Sequence, residues 1–191
     1  MLIRVGQRPD HGFDEPLGLL SDCHRRIERF LGVLVTIAGA RRGRPLPPAD
    51  RQALERALEY FATAAPRHSA DEEESLFPRL RASAAPEARA AMAAMDRLEA
   101  EHRAADEHHR VVDRLGRRWL EAGSLEEGAV ALLLEHLVAL ERLYGAHIRL
   151  EDSELFPAAG RVLTGADLEA IGREMAARRN VPYQPPPEQT A

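Results

Sequence analysis

The stretch HSADEEESLFP, residues 68–78, has a second copy seventy-nine residues later in HIRLEDSELFP, residues 147–157. Both copies begin with a histidine that is followed four residues later by a glutamate, and both end in Leu-Phe-Pro. Residues four apart lie on the same face of an α-helix, one turn from each other. An imidazole and a carboxylate at this spacing can therefore bind one metal ion, or two adjacent ions, on an undistorted helix.

The Leu-Phe-Pro end of each copy predicts how the His/Glu pair is embedded. The leucine eight residues after each histidine, Leu76 or Leu155, lies on the same helix face, so the polar pair belongs to an apolar stripe. Proline disfavours the helical conformation in the residue before it. Each helix is therefore predicted to end near Phe77 or Phe156.

The acidic run of the first copy contains one residue on the histidine face. Glu72 shares the face of His68, whereas Asp71, Glu73 and Glu74 point toward other sides of the helix. We expect these three side chains to be exposed to solvent, and we assign metal-binding chemistry only to Glu72.

Composition predicts an all-α fold. Strong helix formers are abundant, aromatic residues make up only 5% of the chain, and no β-branched run of strand length occurs. Four long amphipathic segments with short connections predict an up-down-up-down four-helix bundle with an additional short C-terminal helix. We divide the chain into an extended lead-in at residues 1–13, the bundle at residues 14–157, and a C-terminal helix with a Pro-rich tail at residues 158–191.

Several classes of protein do not fit this sequence. The net charge is −5 with acidic and basic residues interleaved, which gives no nucleic-acid signature. No stretch has the apolar length of a membrane span, and the N-terminus lacks an apolar segment of signal-peptide length. The only cysteine is Cys23, so an intramolecular disulfide is excluded. We expect a soluble cytoplasmic protein without nucleic-acid or membrane partners; a protein partner is not identified.

Each of the four predicted helices carries a histidine near the middle of its apolar face. One such histidine is more often a hydrogen-bonded core residue than a ligand. Four at corresponding positions, two with a glutamate one turn later, are poorly explained by packing, because buried carboxylates without partners are costly and a multivalent cation removes that cost. The candidate metal ligands are His24, His68, Glu72, His102, His147 and Glu151.

The ligand types narrow the choice of metal. Imidazole and carboxylate suit iron, manganese or zinc, and no set of thiolates indicates structural zinc. Six ligands, two of which can bridge, exceed the needs of one tetrahedral ion, so a dinuclear centre fits better. Ferritin-like carboxylate proteins are the alternative, but they require Glu-x-x-His on two helices, and only Glu99 and His102 have that spacing here.

Tyr144 and His109 also lie close to candidate ligands on the predicted helices. Tyr144, one turn before His147, either donates a hydrogen bond to a ligand or metal-bound oxygen, or is a core tyrosine with a local partner. His109, two turns after His102, can reach the interior near one end of the site.

Pro66 conflicts with a continuous second helix. Inside a helix, proline removes one hydrogen bond and clashes with the preceding turn. We expect a kink or a short break just before His68.

The ligand pattern resembles the hemerythrin-like, or HHE cation-binding, domains. The resemblance rests on His24-Arg25, the HxxxEE-x-x-LFP stretch at residues 68–78, His102, and HxxxE with LFP at residues 147–157, and it covers about residues 13–157. It implies a non-haem di-iron centre of the Fe-O-Fe type in a four-helix bundle, with other divalent metals as alternatives. By positional match, the four histidines would be terminal ligands, and Glu72 and Glu151 would bridge.

The sequence departs from the oxygen-carrying members of that family. They have a further histidine one turn after the third-helix histidine and a His-x4-Asp pair on the fourth helix. Here these places hold Asp106 and the His-x3-Glu of His147 and Glu151. One iron is then more open, or Asp106 serves as a seventh ligand or hydrogen-bonds to a ligand. The pattern argues against reversible oxygen carriage and resembles family members associated with peroxide, nitric oxide or iron handling.

Three functions fit these residues. The first is an oxidoreductase directed at peroxide or nitric oxide, with a small oxidant (O2, peroxide or NO) bound at the open iron. The second is a redox-sensing or oxygen-sensing module without turnover. The third is iron storage or delivery. The sequence alone does not choose among them.

Overall fold

The computed structural model describes residues 11–185, and all regular secondary structure in this range is helical. The all-α class is thus confirmed. Residues 1–10 of the predicted lead-in and residues 186–191 of the predicted tail lie outside the described range, and the division into domains stays a prediction. The helices are α1 (Pro16–Arg41), α2 (Pro48–Thr63), α3 (Ala65–Asp71), α4 (Phe77–Ala82), α5 (Pro86–Ala90), α6 (Met92–Ala122), α7 (Glu127–Leu150), α8 (Phe156–Val162) and α9 (Gly165–Arg178), and π turns at Glu72–Leu76 and Glu151–Leu155 join α3 to α4 and α7 to α8.

Four long segments enclose the core. α1 packs against α2 and α7, and α6 packs against the same two helices, so that α2 and α7 each lie between α1 and α6. Among the helices of residues 11–185, none has both the length and the apolar character needed to cross a membrane.

The apolar core consists of two clusters with a polar layer between them. On α1, Leu20 belongs to one cluster and Ile27 to the other, and His24 lies between these residues. On α6, His102 lies between Leu98 of one cluster and Ala105 of the other in the same way. The histidines are therefore screened from water by apolar side chains on both sides.

The predicted break before His68 is confirmed. α2 ends at Thr63, and α3 begins at Ala65 with Pro66 in its first turn, where a missing N–H is tolerated. The His68 N–H donates to the Ala64 carbonyl at 3.3 Å, so the new helix begins immediately.

The predicted helix ends at Phe77 and Phe156 are wrong. The N–H of Phe77 donates to the Glu72 carbonyl and that of Phe156 to the Glu151 carbonyl, five residues back, which makes each turn wider than an α-helical one. Each proline then stands in the first turn of the following α-helical segment, where it needs no N–H. The chain consequently remains helical through both Leu-Phe-Pro stretches.

The C-terminal helix α9 is present as predicted. Thr164 caps its start, because the Thr164 hydroxyl accepts from the Asp167 N–H and the Asp167 carboxylate accepts from the Thr164 N–H. Ile171 and Met175 are fully buried. Since α9 packs against α1, α3 and the first π turn, it is part of the folded core.

The loops at one end of the molecule meet at Gly43. The Leu125 N–H donates to the Gly43 carbonyl at 2.7 Å, and Gly43 has a positive φ of 73°. A Cβ at this position would lie 2.0 Å from the Leu125 carbonyl oxygen, which is too close for any side chain. Both the dihedral and the close approach of the backbone therefore require glycine.

We expect Gly43→Ala to lower the free energy of unfolding by about 2–4 kcal/mol, because it combines a left-handed backbone penalty with a clash against backbone. Gly123 is the matched control. It has nearly the same φ, 75°, but within the described chain no neighbouring group lies within 4 Å of the point that a Cβ would occupy. Gly123→Ala should cost only about 1 kcal/mol in urea unfolding, and equal losses for both variants would contradict the role given to the loop contact.

Candidate metal centre

The six candidate ligands come together in the polar layer between the two apolar clusters. Glu72 and Glu151 are 0% exposed, and the most exposed histidine, His102, is only 7% exposed. Two overlapping groups form, and in each the ligand atoms lie within 4.8 Å of one another. The first group is His24, His68, Glu72 and Glu151, and the second group is His102, His147, Glu72 and Glu151.

Both carboxylates belong to both groups. Glu151 Oε2 lies 3.0 Å from His24 Nε2 and 3.1 Å from His147 Nε2. Glu72 is placed equivalently, with Oε1 3.4 Å from His68 Nε2 and Oε2 3.3 Å from His102 Nε2. Each carboxylate thus lies between an imidazole of the first group and one of the second.

Hydrogen bonds do not satisfy these atoms. Within residues 11–185, all four carboxylate oxygens of Glu72 and Glu151 are buried without a hydrogen-bond partner, and so is His24 Nε2. Leaving buried carboxylates uncompensated costs several kcal/mol per group. Because a cation accepts electron pairs from all of these atoms at once, the donor set fits a metal ion.

The outer nitrogens of three imidazoles are held by carboxylates. An Nδ1–H that donates to a carboxylate fixes the tautomer and leaves the Nε2 lone pair directed into the group. His102 Nε2 and His147 Nε2 lie 3.1 Å apart, so in the neutral form two lone pairs face the same space. The outer pairs are His24 with Asp152 at 3.0 Å, His102 with Glu73 at 2.7 Å, and His147 with Glu101 at 3.0 Å.

Sequence reasoning missed these three carboxylates. Glu73 was predicted to be exposed to solvent, and this is only partly correct: its side chain is 36% exposed, but α6 places His102 against it. A signal was present in the repeat: Glu73 and Asp152 both directly follow the glutamate of their copy. Glu101 had no comparable signal, since it only precedes His102 in the chain.

The predicted exposure of Asp71 is also wrong. Asp71 is 0% exposed, and α9 covers it. Its Oδ1 accepts from Arg178 Nη1 at 2.8 Å, and its Oδ2 accepts from Arg179 Nη2 at 2.6 Å. Glu74 is exposed as predicted. The first π turn is therefore anchored to the C-terminal helix through the residue next to Glu72.

The charges around the site shift several ligand pKa values. Burial opposes protonation of His24 and His102, but hydrogen bonds and nearby carboxylate charges outweigh burial and raise the pKa to about 10 for His24 and about 9 for His102. Burial and the charge of Glu151 raise the pKa of Glu72 to about 7. For Glu151, burial is outweighed by its contacts with His147 and His24, and the pKa is lowered. Protons therefore compete with a metal for these atoms, so affinity rises with pH.

Tyr144 and His109 form a pair beside the site. The Tyr144 hydroxyl lies 2.9 Å from His109 Nε2, and its ring centroid lies 6.4 Å from that of His147. The structure thus favours the core tyrosine with a local partner. His109 reaches the interior and stacks on Phe61 at 4.4 Å, and burial lowers its pKa to about 4.

Two further acidic residues lie outside both groups. Asp106 is exposed and lines, with His109 and Pro66, a cavity of about 260 Å³. The structure does not bring Asp106 to the other ligands. Glu99 accepts a hydrogen bond from Arg81 at 2.6 Å, so the Glu-x-x-His spacing that the ferritin-like alternative requires does not contribute a carboxylate to the site.

Comparison with known proteins agrees with this geometry. The family model of the hemerythrin HHE cation-binding domain matches residues 15–159, which include all six candidate ligands. An "Uncharacterized protein" of Haemophilus influenzae (strain ATCC 51907 / DSM 11121 / KW20 / Rd) is 28% identical over 182 residues, which cover 88% of this chain and 92% of the relative. Since the family match extends over most of the chain and the buried His/Glu groups fit a metal, the chain belongs to the hemerythrin HHE cation-binding domain family.

Proposed function

We propose that this protein is a non-haem di-iron protein built on an up-down-up-down four-helix bundle. The observation that carries the proposal is the placement of two buried carboxylates, each between imidazoles of both groups and without hydrogen bonds to its oxygens within the described residues. In the proposed centre, His24, His68, His102 and His147 are terminal ligands, and Glu72 and Glu151 bridge.

The donor set supports iron. Imidazole nitrogen with carboxylate oxygen suits iron, and manganese or zinc are the competing ions. Each group offers two imidazoles and a share of two carboxylates, fewer donors than an octahedral ion accepts, which leaves room for an external ligand. Bound iron would supply redox chemistry and Lewis acidity.

The surroundings support a small ligand. The candidate ligand residues are at most 7% exposed, and the apolar clusters exclude water on both sides. Only a small molecule could enter such a site without unfolding part of the bundle. We propose that O2, peroxide or nitric oxide binds or reacts there, and that the protein works in the cytoplasm, where the free thiol of Cys23 would persist.

Metal content and the optical spectrum test the centre. Protein produced with iron supplied should hold about two irons per chain, one for each group, with charge-transfer absorption that His147→Ala and Glu151→Ala abolish. Glu154→Ala is the matched control, because Glu154 belongs to the same π turn but is exposed. A wild type that holds no metal, or a single zinc that these substitutions do not release, would overturn the proposal.

Three assays on the loaded protein then separate the functions. Consumption of peroxide or nitric oxide at many equivalents per chain would establish an oxidoreductase. A spectrum that responds to the ligand without turnover would establish a redox-sensing or oxygen-sensing module. Transfer of iron to a metal-free acceptor would establish storage or delivery.

A further inference from the structure

The site has two halves, one with His24 and His68 of the first group and one with His102 and His147 of the second group, and they correspond to each other through the sequence repeat. His24 on α1 corresponds to His102 on α6, and His68 corresponds to His147. The outer hydrogen bonds follow the same correspondence: Glu73, the residue after Glu72, holds His102, and Asp152, the residue after Glu151, holds His24. The acidic residue next to Glu72 thus supports the α6 histidine, and the acidic residue next to Glu151 supports the α1 histidine in the same way.

One contact of this pattern has no counterpart. Glu101, the residue before His102, accepts from His147 Nδ1 at 3.0 Å. The corresponding residue before His24 is Cys23, which carries no carboxylate. His68 Nδ1 corresponds to His147 Nδ1. It has no hydrogen-bond partner in the described part of the chain, and water does not replace one easily because His68 is only 3% exposed.

Cys23 does not replace the carboxylate chemically. Cys23 is only 6% exposed and belongs to the buried apolar core. Its sulfur already lies 3.2 Å from Arg26 Nη2. A cysteine sulfur is only a weak hydrogen-bond acceptor. The His68 ring therefore lacks both the orientation and the added basicity that Glu101 gives to His147.

The second group has a further electrostatic advantage. Its two imidazoles are hydrogen-bonded to two outer carboxylates, Glu73 and Glu101, whereas within residues 11–185 the imidazoles of the first group have only Asp152. Removing an outer hydrogen-bond partner of a ligating histidine typically costs 10–100-fold in metal affinity. Additional negative charge near a divalent cation acts in the same direction.

We propose that the two metal positions are unequal: the group of His102 and His147 binds first and tightly, and the group of His24 and His68 is the weak, exchangeable position. Cys23 is the positioning residue that sets the difference, because it stands where the other half has Glu101. The inference rests on the proposed function in assuming that two ions bind.

Zinc titration of the metal-free full-length chain tests the order. Competition with a chromophoric chelator should resolve two steps whose dissociation constants differ by about 10–100-fold. With one equivalent of zinc, the ¹⁵N signals of the His102 and His147 rings should shift, while those of the His24 and His68 rings stay at their metal-free positions. This measurement locates the first ion without any substitution.

Two exchanges between the halves test the role of Cys23. Glu101→Cys should weaken the tight step by about 10–100-fold and bring the two steps together, whereas Cys23→Glu should strengthen the weak step. Cys23→Ala is the control and should leave the separation unchanged, since neither residue supplies an acceptor. If Cys23→Glu fails to fold, Glu101→Cys still tests the role of the outer carboxylate, and the ring signals still show which group binds the first ion.

The outcomes separate the two proposals. Binding of fewer than two ions would overturn the dinuclear centre itself. Two ions bound with equal affinity, or a first ion bound by His24 and His68, would overturn only the inequality. Unchanged affinities in Glu101→Cys would remove the role given to the outer carboxylate.

Discussion

Withdrawal of the metal by a chelator is expected to lower the thermal midpoint of the loaded protein by roughly 8–16 °C for each ion removed. An ion at a thousandfold excess over its dissociation constant stabilises the native state by about 4 kcal/mol, and a chain of this length gains about 2–4 °C per kcal/mol. The physical reason is that the oxygens of Glu72 and Glu151 are buried without hydrogen bonds among the described residues, so that a bound metal ion offsets their desolvation.

The control for this experiment is the double variant Glu72→Ala, Glu151→Ala. It lacks both carboxylates that belong to the two groups, so it should bind no ion and its midpoint should not respond to the chelator. Circular dichroism melts with and without chelator measure both proteins. A wild-type midpoint that is the same in both conditions, on protein shown to be loaded beforehand, would contradict the prediction.

The second large effect is expected at Asp71. Asp71→Ala should lower the free energy of unfolding by about 3 kcal/mol, because it removes the shared acceptor of two arginines. Arg178 and Arg179 retain 20% side-chain exposure and can still reach water, which places the loss at the low end of the range for buried pairs. Urea unfolding of the metal-free protein measures this loss separately from any effect on metal binding.

Glu74→Ala is the matched control for Asp71. Glu74 is three residues away and also accepts from Arg178, at 3.1 Å, but its side chain is 66% exposed. Its removal should change the free energy of unfolding by no more than about 0.5 kcal/mol. A loss as large as that of Asp71→Ala would show that the acidic run acts through its overall charge and not through the buried contact with α9.

The sequence by itself determined the helical class, the resemblance to the family and the set of candidate ligands. For the two His/Glu pairs helical periodicity was sufficient, because a spacing of four residues puts His68 with Glu72, and His147 with Glu151, on one face of whichever helix carries them. The apolar neighbours on that face directed the same side chains to the interior. Pro66 was also informative, since a missing N–H disrupts helix locally, whatever the tertiary structure.

Only the tertiary structure decided what covers the other faces of those helices. Periodicity places Asp71 and Glu73 on a helix, but it does not say that α9 covers one and α6 the other. The partner of His147 lies 46 residues away in the chain. Such contacts depend on how helices pack. Local spacing therefore identified the candidate ligands, whereas the hydrogen bonds that distinguish the two proposed metal positions arise from packing between helices.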